Sequence, residues 1–505
     1  MFPALSHKNI NLLNAVFLFA LLNLLFILVL RIFLIFSWSA NIGGMEHNVV
    51  YSICKSLYGL PLYSDPESHN FDIAQYSPGY YYFIIFLCKL FSLSPFEDLH
   101  SIYIIGRTVS LLLNLAGFIV LFQMLRKVLT IDLRISAIAC ATGFIYLTRI
   151  QFSVRPDALY CFCFVLILYV FSKFFINGRS HLFLTGILLC ALSVFVKQSG
   201  IGFPLLLSSF FLLTGNYRRF LSALMISIVT IALLSALFYV VYGVQFFKNV
   251  FGGLNNGVSL YHGYALLNQL FLHAPLVLVM ATLGSVGFFR RKNELFERFF
   301  TYSSMFLFVF ALVTSLKKGS WINYYNEFVI IVIVYSAWYI NKLRNNTSDA
   351  ERKSRIISVI FAAYLFWLLP SIIADKALEE HHAHLKESPE SYLETKEIAR
   401  HLNLILKEEP DTYFLSFNPH LNSMLASKAV VPNNDIVPDK SPFDYSGFKS
   451  LFSAGKVRYI VVPVNSDIQS FLGCNYSGFP VLMKTDMWVV MKNDSVRKAA
   501  FDKNK

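Results

Sequence analysis

Charge is what this chain has least of. Asp, Glu, Lys and Arg make up 14% of 505 residues, against about 25% in an ordinary soluble domain. The mean hydropathy is +0.56. Acidic residues are scarcer than basic ones, 30 against 43, for a formal net charge of +13. That excess does not point to nucleic acid. It gathers in short clusters between apolar runs, as the positive-inside rule requires of cytoplasmic loops. Cysteine is scarce too: seven residues, with no spacing that suggests a disulfide framework or a zinc site. Cys140, Cys161, Cys163 and Cys190 fall in apolar runs, and only Cys54 and Cys474 fall where water is expected. Internal repeats and mid-span ionisable groups, the marks of a transporter, are absent. What is abundant is apolar mass, 56% of the chain with 50 Phe, and lipid is the solvent that suits it.

A span needs roughly 20 apolar residues, and many such runs are present. Residues 11–38 are too long for a signal-peptide core and precede no small-residue cleavage site, so they read as a retained span. Arg126, Lys127 and Arg134 mark one inner loop, Arg218 and Arg219 a second, Arg290, Arg291, Lys292 and Arg298 a third. Lys342, Arg344, Arg352, Lys353 and Arg355 mark a fourth, and Lys8 puts the N-terminus on the same side. Residues 79–93 are apolar but short and carry Lys89. Were they to cross, the Arg126 loop would land outside, so they are expected to lie at the outer surface. The further spans are expected near residues 101–125, 135–150, 158–176, 182–196, 201–213, 220–242, 265–289, 299–316, 328–340 and 356–373. The predicted fold is mainly α, a polytopic membrane helix bundle of about eleven spans with a small C-terminal α/β domain outside the membrane. Residues 1–374 form the membrane module, with a large first outer loop at 39–100, and residues 375–505 the outer domain. A helix at 394–407 and strand-like runs at 413–417, 459–464 and 488–491 carry that last reading, and Asn433, Asn434 and Pro438 mark loops. His381, His382 and His384 sit among Glu379, Glu380 and Glu387 and read as a solvated linker rather than a metal site.

Ionisable residues collect at the predicted outer ends of the spans: Glu46, Arg107, Arg155, Asp157, Lys197, Lys317, Lys318 and Glu327, with Arg31 nearby. Each has an ordinary reading. Arg31 and Arg107 could snorkel to headgroups. Asp157, after Pro156, suits a helix N-terminus. Lys197 could be a plain loop residue and Glu46 a solvated acid. Their convergence on one face, with cations where the positive-inside rule disfavours them, asks for an anionic partner. The first outer loop adds Tyr58-Gly59-Leu60-Pro61-Leu62-Tyr63 and Tyr76-Ser77-Pro78-Gly79-Tyr80-Tyr81-Tyr82. Such aromatics serve as a membrane belt and also suit sugar stacking.

An acid after the first span, then Gly-x-Pro-Leu-Tyr, then Tyr-x-Pro-x-Tyr-Tyr, resembles the GT-C membrane glycosyltransferases. The closest resemblance is to the protein O-mannosyltransferase and lipid A aminoarabinose transferase group, glycosyltransferase family 39 in the broad sense. Gly106-Arg107-Thr108-Val109-Ser110, Arg155-Pro156-Asp157-Ala158-Leu159, Lys197-Gln198-Ser199 and Asn323-Tyr324-Tyr325 extend the match over residues 11–340. One departure stands out: where relatives often carry Asp-Glu, this chain has Met45-Glu46.

The resemblance implies a polyprenyl-phosphate-linked sugar as donor and a glycan, lipid or protein as acceptor. It implies inversion at the anomeric carbon, on the outer, periplasmic side of the cytoplasmic membrane. Glu46 would be the general base on the acceptor hydroxyl. Arg107, Arg155 and Lys197 would stabilise the leaving phosphate; Asp157 would orient Arg155 or bind sugar hydroxyls. Gln198, Tyr63, Tyr76 and Tyr81 complete the expected substrate-binding set. No metal and no further cofactor is required, and no nucleic acid is expected as a partner. The alternatives are a transporter or flippase for a lipid-linked glycan, and a glycan polymerase or ligase with a diphosphate-linked donor.

Overall fold

The computed structural model describes residues 12–68, 70–148, 151–273, 295–345, 388–431, 443–466 and 468–493. The predicted span 356–373, the later part of 265–289, the His381–His384 stretch and the loop residues Asn433, Asn434 and Pro438 lie outside the described residues.

Among the described residues, five helices are long and apolar enough to cross a membrane. They are α1 (Leu12–Ile35), α4 (Pro95–Gln123, continued to Val128), α6 (Asp157–Asn177), α9 (Tyr217–Tyr242) and α12 (Leu295–Ser315). Between them run the shorter apolar α5 (Leu133–Thr148), α7 (Ser180–Ser193) and α8 (Gly202–Leu213). Helix α13 (Asn326–Asn345) is the inner element of the bundle, buried throughout from Phe328 to Val334. The stops are local. Gly178 and Gly243 follow α6 and α9 with φ of 66° and 62°, a conformation glycine adopts without strain. Asn216 caps α9 by accepting from the Arg219 N–H.

Two helices occupy the first outer loop: α2 (Glu46–Leu57) and α3 (Pro78–Leu90). With 13 residues, α3 is only about 20 Å long, short of the roughly 30 Å hydrocarbon core. It starts on Pro78, where a missing N–H costs nothing. Its Gly79 N–H donates to the Phe195 carbonyl at 2.7 Å, and a Cβ at Gly79 would stand 2.7 Å from that same oxygen. This close approach ties the outer loop to the turn after α7. Single cysteines placed at the exposed Ser68 and Ser94, in a cysteine-free background, are expected to react alike with an impermeant thiol reagent added outside. Labelling of only one of them would mean that α3 crosses.

Helices α10 (Val244–Val250) and α11 (Leu260–His273) follow α9. The C-terminal part is a small α/β unit with α14 (Pro389–Glu408), α15 (Pro419–Met424) and α16 (Ser446–Ser453). Its strands are β1 (Tyr413–Ser416), β2 (Ala429–Val430), β3 (Val457–Pro463), β6 (Val481–Lys484) and β7 (Trp488–Lys492), with a separate hairpin of β4 (Ser470–Phe471) and β5 (Cys474–Asn475). The sheet order is β2-β1-β3-β7-β6, parallel on the β2-β1-β3 side and antiparallel beyond. This unit sits on the first outer loop. Asn70 donates to the Ala426 carbonyl at 2.8 Å and its own carbonyl accepts from the Val431 N–H. His420 bonds the Trp38 carbonyl at 3.0 Å. Tyr51, Ile53 and Tyr80 share one apolar core with Ile398, Leu402 and Leu421. Loop and C-terminal unit thus pack at the same end of the bundle. Cys54 and Cys474 are both buried and free.

Candidate active site

At that end a cavity of about 280 Å³ opens between the first outer loop, the turns around residues 155 and 197, and loop 316–325. Gly44 and Met45 both take left-handed backbone conformations, φ 63° and 60°. Gly44 is required: a Cβ there would stand 1.8 Å from an Arg155 guanidinium nitrogen. Met45, 43% exposed, follows as the residue before α2 and joins the cavity wall.

Asp157 opens α6 and gathers the polar groups. Its Oδ1 accepts from Lys197 Nζ and from Asn323 Nδ2, both at 2.8 Å. Its Oδ2 lies 3.4 Å from Arg155 Nε. Arg155 in turn donates to the Tyr76 hydroxyl at 2.7 Å and lies over the Tyr76 ring. Lys197 is nearly buried in the turn after α7, with its ammonium over the rings of Tyr324 and Tyr160. Burial works against that charge, but Asp157 and the neighbouring Tyr324 outweigh it and hold Lys197 above its ordinary value. Arg155, Lys197, Lys317 and Tyr76 all line the cavity. No carboxylate lines it among the described residues.

Glu46 and Arg107 have a different geometry from the one the resemblance implied. They form a fully buried ion pair, each 0% exposed, and neither lines the cavity. Glu46 Oε1 accepts from Arg107 Nε at 3.0 Å and from the Val154 N–H at 2.8 Å. Oε2 accepts from Arg107 Nη2 at 3.0 Å and from the Ile42 N–H at 3.2 Å. Arg107 also donates to the Ser37 and Ser39 carbonyls, both at 2.6 Å. With four donors on its two oxygens, Glu46 has no acceptor position left for a hydroxyl proton, and Arg107 is turned to protein carbonyls rather than to a phosphate. The pair instead fixes the chain beside Met45 and beside Arg155, and so sets the spacing of two cavity walls.

The remaining expected residues divide. Gln198 donates to the carbonyls of Gln75 and Val250, holding Gln75 in the cavity wall. Tyr63 is buried and donates to the Tyr76 carbonyl at 2.8 Å, supporting Tyr76 from behind. Tyr81 belongs to the outer-loop core. Arg31 is buried and donates to the Gln151 carbonyl at 2.7 Å. Lys317, Asn323 and Tyr324, in the cavity wall, carry sequence signals, an outer-end cation and a shared motif. Gln75 and Asn256 carry none, because their place in the wall depends on long-range packing alone.

No family model matches the chain, and no curated protein does. Solved structures do. ArnT from Cupriavidus metallidurans in the apo state aligns with a TM-score of 0.59 and 14% identity, over 94% of this chain and 98% of that one. ArnT from the same organism bound to undecaprenyl phosphate gives 0.51 and 15% over the same shares. An Archaeoglobus fulgidus oligosaccharyltransferase tethered with an acceptor peptide containing the NVT sequon gives 0.56 and 13%, over 88% of this chain and 69% of that one. At these identities the likeness is one of fold. It is the GT-C fold that the motifs lead one to expect, in a multi-pass membrane protein.

Proposed function

We propose that this chain is a membrane glycosyltransferase that moves a sugar from a polyprenyl-phosphate carrier to an acceptor oxygen, with inversion, on the outer face of the cytoplasmic membrane. One observation carries the proposal. Arg155, Lys197 and Lys317 converge with Tyr76, Trp321 and Tyr324 on a single cavity at the end of the bundle. A lipid-linked donor presents its phosphate at that depth. The phosphate needs cations as the glycosidic bond breaks and its charge grows. Arg155 can bind it through parallel N–H donors, while Lys197 acts as a point charge. The aromatic rings offer faces to the sugar. The apo and undecaprenyl-phosphate-bound ArnT structures share this fold, which supports a carrier lipid of the same class. Glycan, lipid and protein acceptors all supply a suitable oxygen.

The test is binding of undecaprenyl phosphate to the purified full chain in nanodiscs. A charge-assisted hydrogen bond contributes roughly 1.5–3 kcal/mol. Lys197→Gln and Arg155→Gln are therefore each expected to weaken binding by about tenfold or more, with the melting temperature of the protein monitored alongside. Wild-type affinity in both variants would reject the site.

A further inference from the structure

If a hydroxyl is the acceptor, its proton must go somewhere, and the cavity wall holds no carboxylate among the described residues. Glu46 is committed to Arg107, Val154 and Ile42. Asp157 Oδ1 is committed to Lys197 and Asn323, and Oδ2 faces Arg155. A third acid stands behind the cavity. Glu327, 7% exposed, lies in the first turn of α13, one helical turn after Asn323. It acts electrostatically on Lys197, and Lys197 on it. The other ionisable groups that act on it or feel it are Asp157, Tyr160 and Cys161, all on α6. Lys197 thus has one acid in front, hydrogen-bonded to it, and a second behind.

Resting on the function proposed above, we infer that Glu327 stores the acceptor's proton, acting through Lys197. The acceptor oxygen forms a bond to the anomeric carbon. The bond from that carbon to the phosphate oxygen breaks, and its electron pair stays on the phosphate. The hydroxyl proton passes to Lys197 Nζ as that nitrogen gives one of its own to a Glu327 carboxylate oxygen. The charges balance. Three cations (Arg155, Lys197, Lys317) and two carboxylates (Asp157, Glu327) leave one net positive charge. A phosphodiester donor brings one negative charge and neutralises the site. Transfer converts it into a monoester with two, and a proton on Glu327 restores neutrality in a place where an uncompensated charge is costly.

Product binding reads this directly. At pH 8 a free phosphate monoester is already a dianion, its second pKa being near 6, so any proton taken up belongs to the protein. Undecaprenyl phosphate would be titrated calorimetrically into the full chain in nanodiscs, in buffers of small and large ionisation enthalpy. The wild type is expected to take up about one proton per lipid bound. Glu327→Gln should still bind but take up none, and Glu327→Asp should recover part of the uptake. A merely structural Glu327 would leave the proton count unchanged. Uptake by Glu327→Gln equal to wild type, or binding by the wild type without uptake, overturns the inference while leaving the proposed function standing. A wild type that does not bind the lipid at all overturns both.

Discussion

Glu46→Gln is expected to melt the protein rather than slow it. The substitution keeps the shape of the side chain but removes the only charge that compensates Arg107 at a position with no access to water. Breaking one half of a buried ion pair costs roughly 3–5 kcal/mol, because the other charge stays behind uncompensated. That is a large part of the roughly 5–15 kcal/mol by which folded domains are stable. The Gln amide would also turn two donors towards a site where Arg107, Val154 N–H and Ile42 N–H all donate. A general base would behave differently: turnover would fall by roughly 100- to 10,000-fold in a protein of normal stability. Thermal unfolding in detergent, followed by intrinsic fluorescence, separates the two. Glu46→Gln should unfold well below the wild type, and Glu46→Gln combined with Arg107→Gln should regain part of the loss. A single variant as stable as the wild type but without turnover would return the base role to Glu46.

The sequence makes the membrane architecture legible because the hydrophobic effect writes it in long runs: α1, α4, α6 and α9 all lie within a few residues of the apolar stretches that predict them. Charge parity likewise keeps residues 79–93 at the surface, and α3 is only 13 residues long. In the C-terminal unit, β1, β3 and β7 match the strand-like runs at 413–417, 459–464 and 488–491. Strands of two residues such as β2 leave no periodicity to read. The site was legible as a list of side chains but not as a geometry. Glu46, Arg107, Arg155 and Lys197 look alike in one dimension, polar residues at the ends of apolar runs. What separates them is whether a partner 40 to 110 positions away neutralises them inside the protein. Glu46 meets the Val154 N–H across 108 positions and Arg107 across 61, and nothing local announces either contact. Lys197 meets Asp157 across 40 yet keeps its place in the cavity wall.

Asp157→Asn is expected to make turnover fall with rising pH, in a range where the wild type is indifferent. In the native protein, burial lowers the proton affinity of Lys197, and the Asp157 carboxylate at 2.8 Å, with Tyr324, more than offsets it, leaving the ammonium above its ordinary value. The wild-type ammonium therefore stays charged through neutral and moderately alkaline pH. With Asn at 157 the first-ranked effect, desolvation, loses its main opponent. The pKa of Lys197 falls, as buried lysines do when no anion holds them, and the cation needed at the leaving phosphate is lost as pH rises through that new value. A second effect runs the other way: removing one negative charge makes the cavity more positive, which favours lipid phosphate while Lys197 remains charged. Coulomb's law at an effective dielectric of 20 gives that effect about 2 kcal/mol at 7–8 Å. Affinity for undecaprenyl phosphate at pH 6.5 should thus hold or rise, while turnover at the same pH drops by roughly 100-fold, because Lys197 and Arg155 lose the carboxylate that positions them. Above the new Lys197 pKa the rate should lose about a further tenfold per pH unit. Asp157→Glu, which restores the charge on a longer stem, should flatten the profile again. Rate profiles of the three proteins between pH 6 and 9, with carrier affinity measured alongside, decide it. An Asp157→Asn profile parallel to the wild type would show that Lys197 does not depend on this carboxylate for its charge.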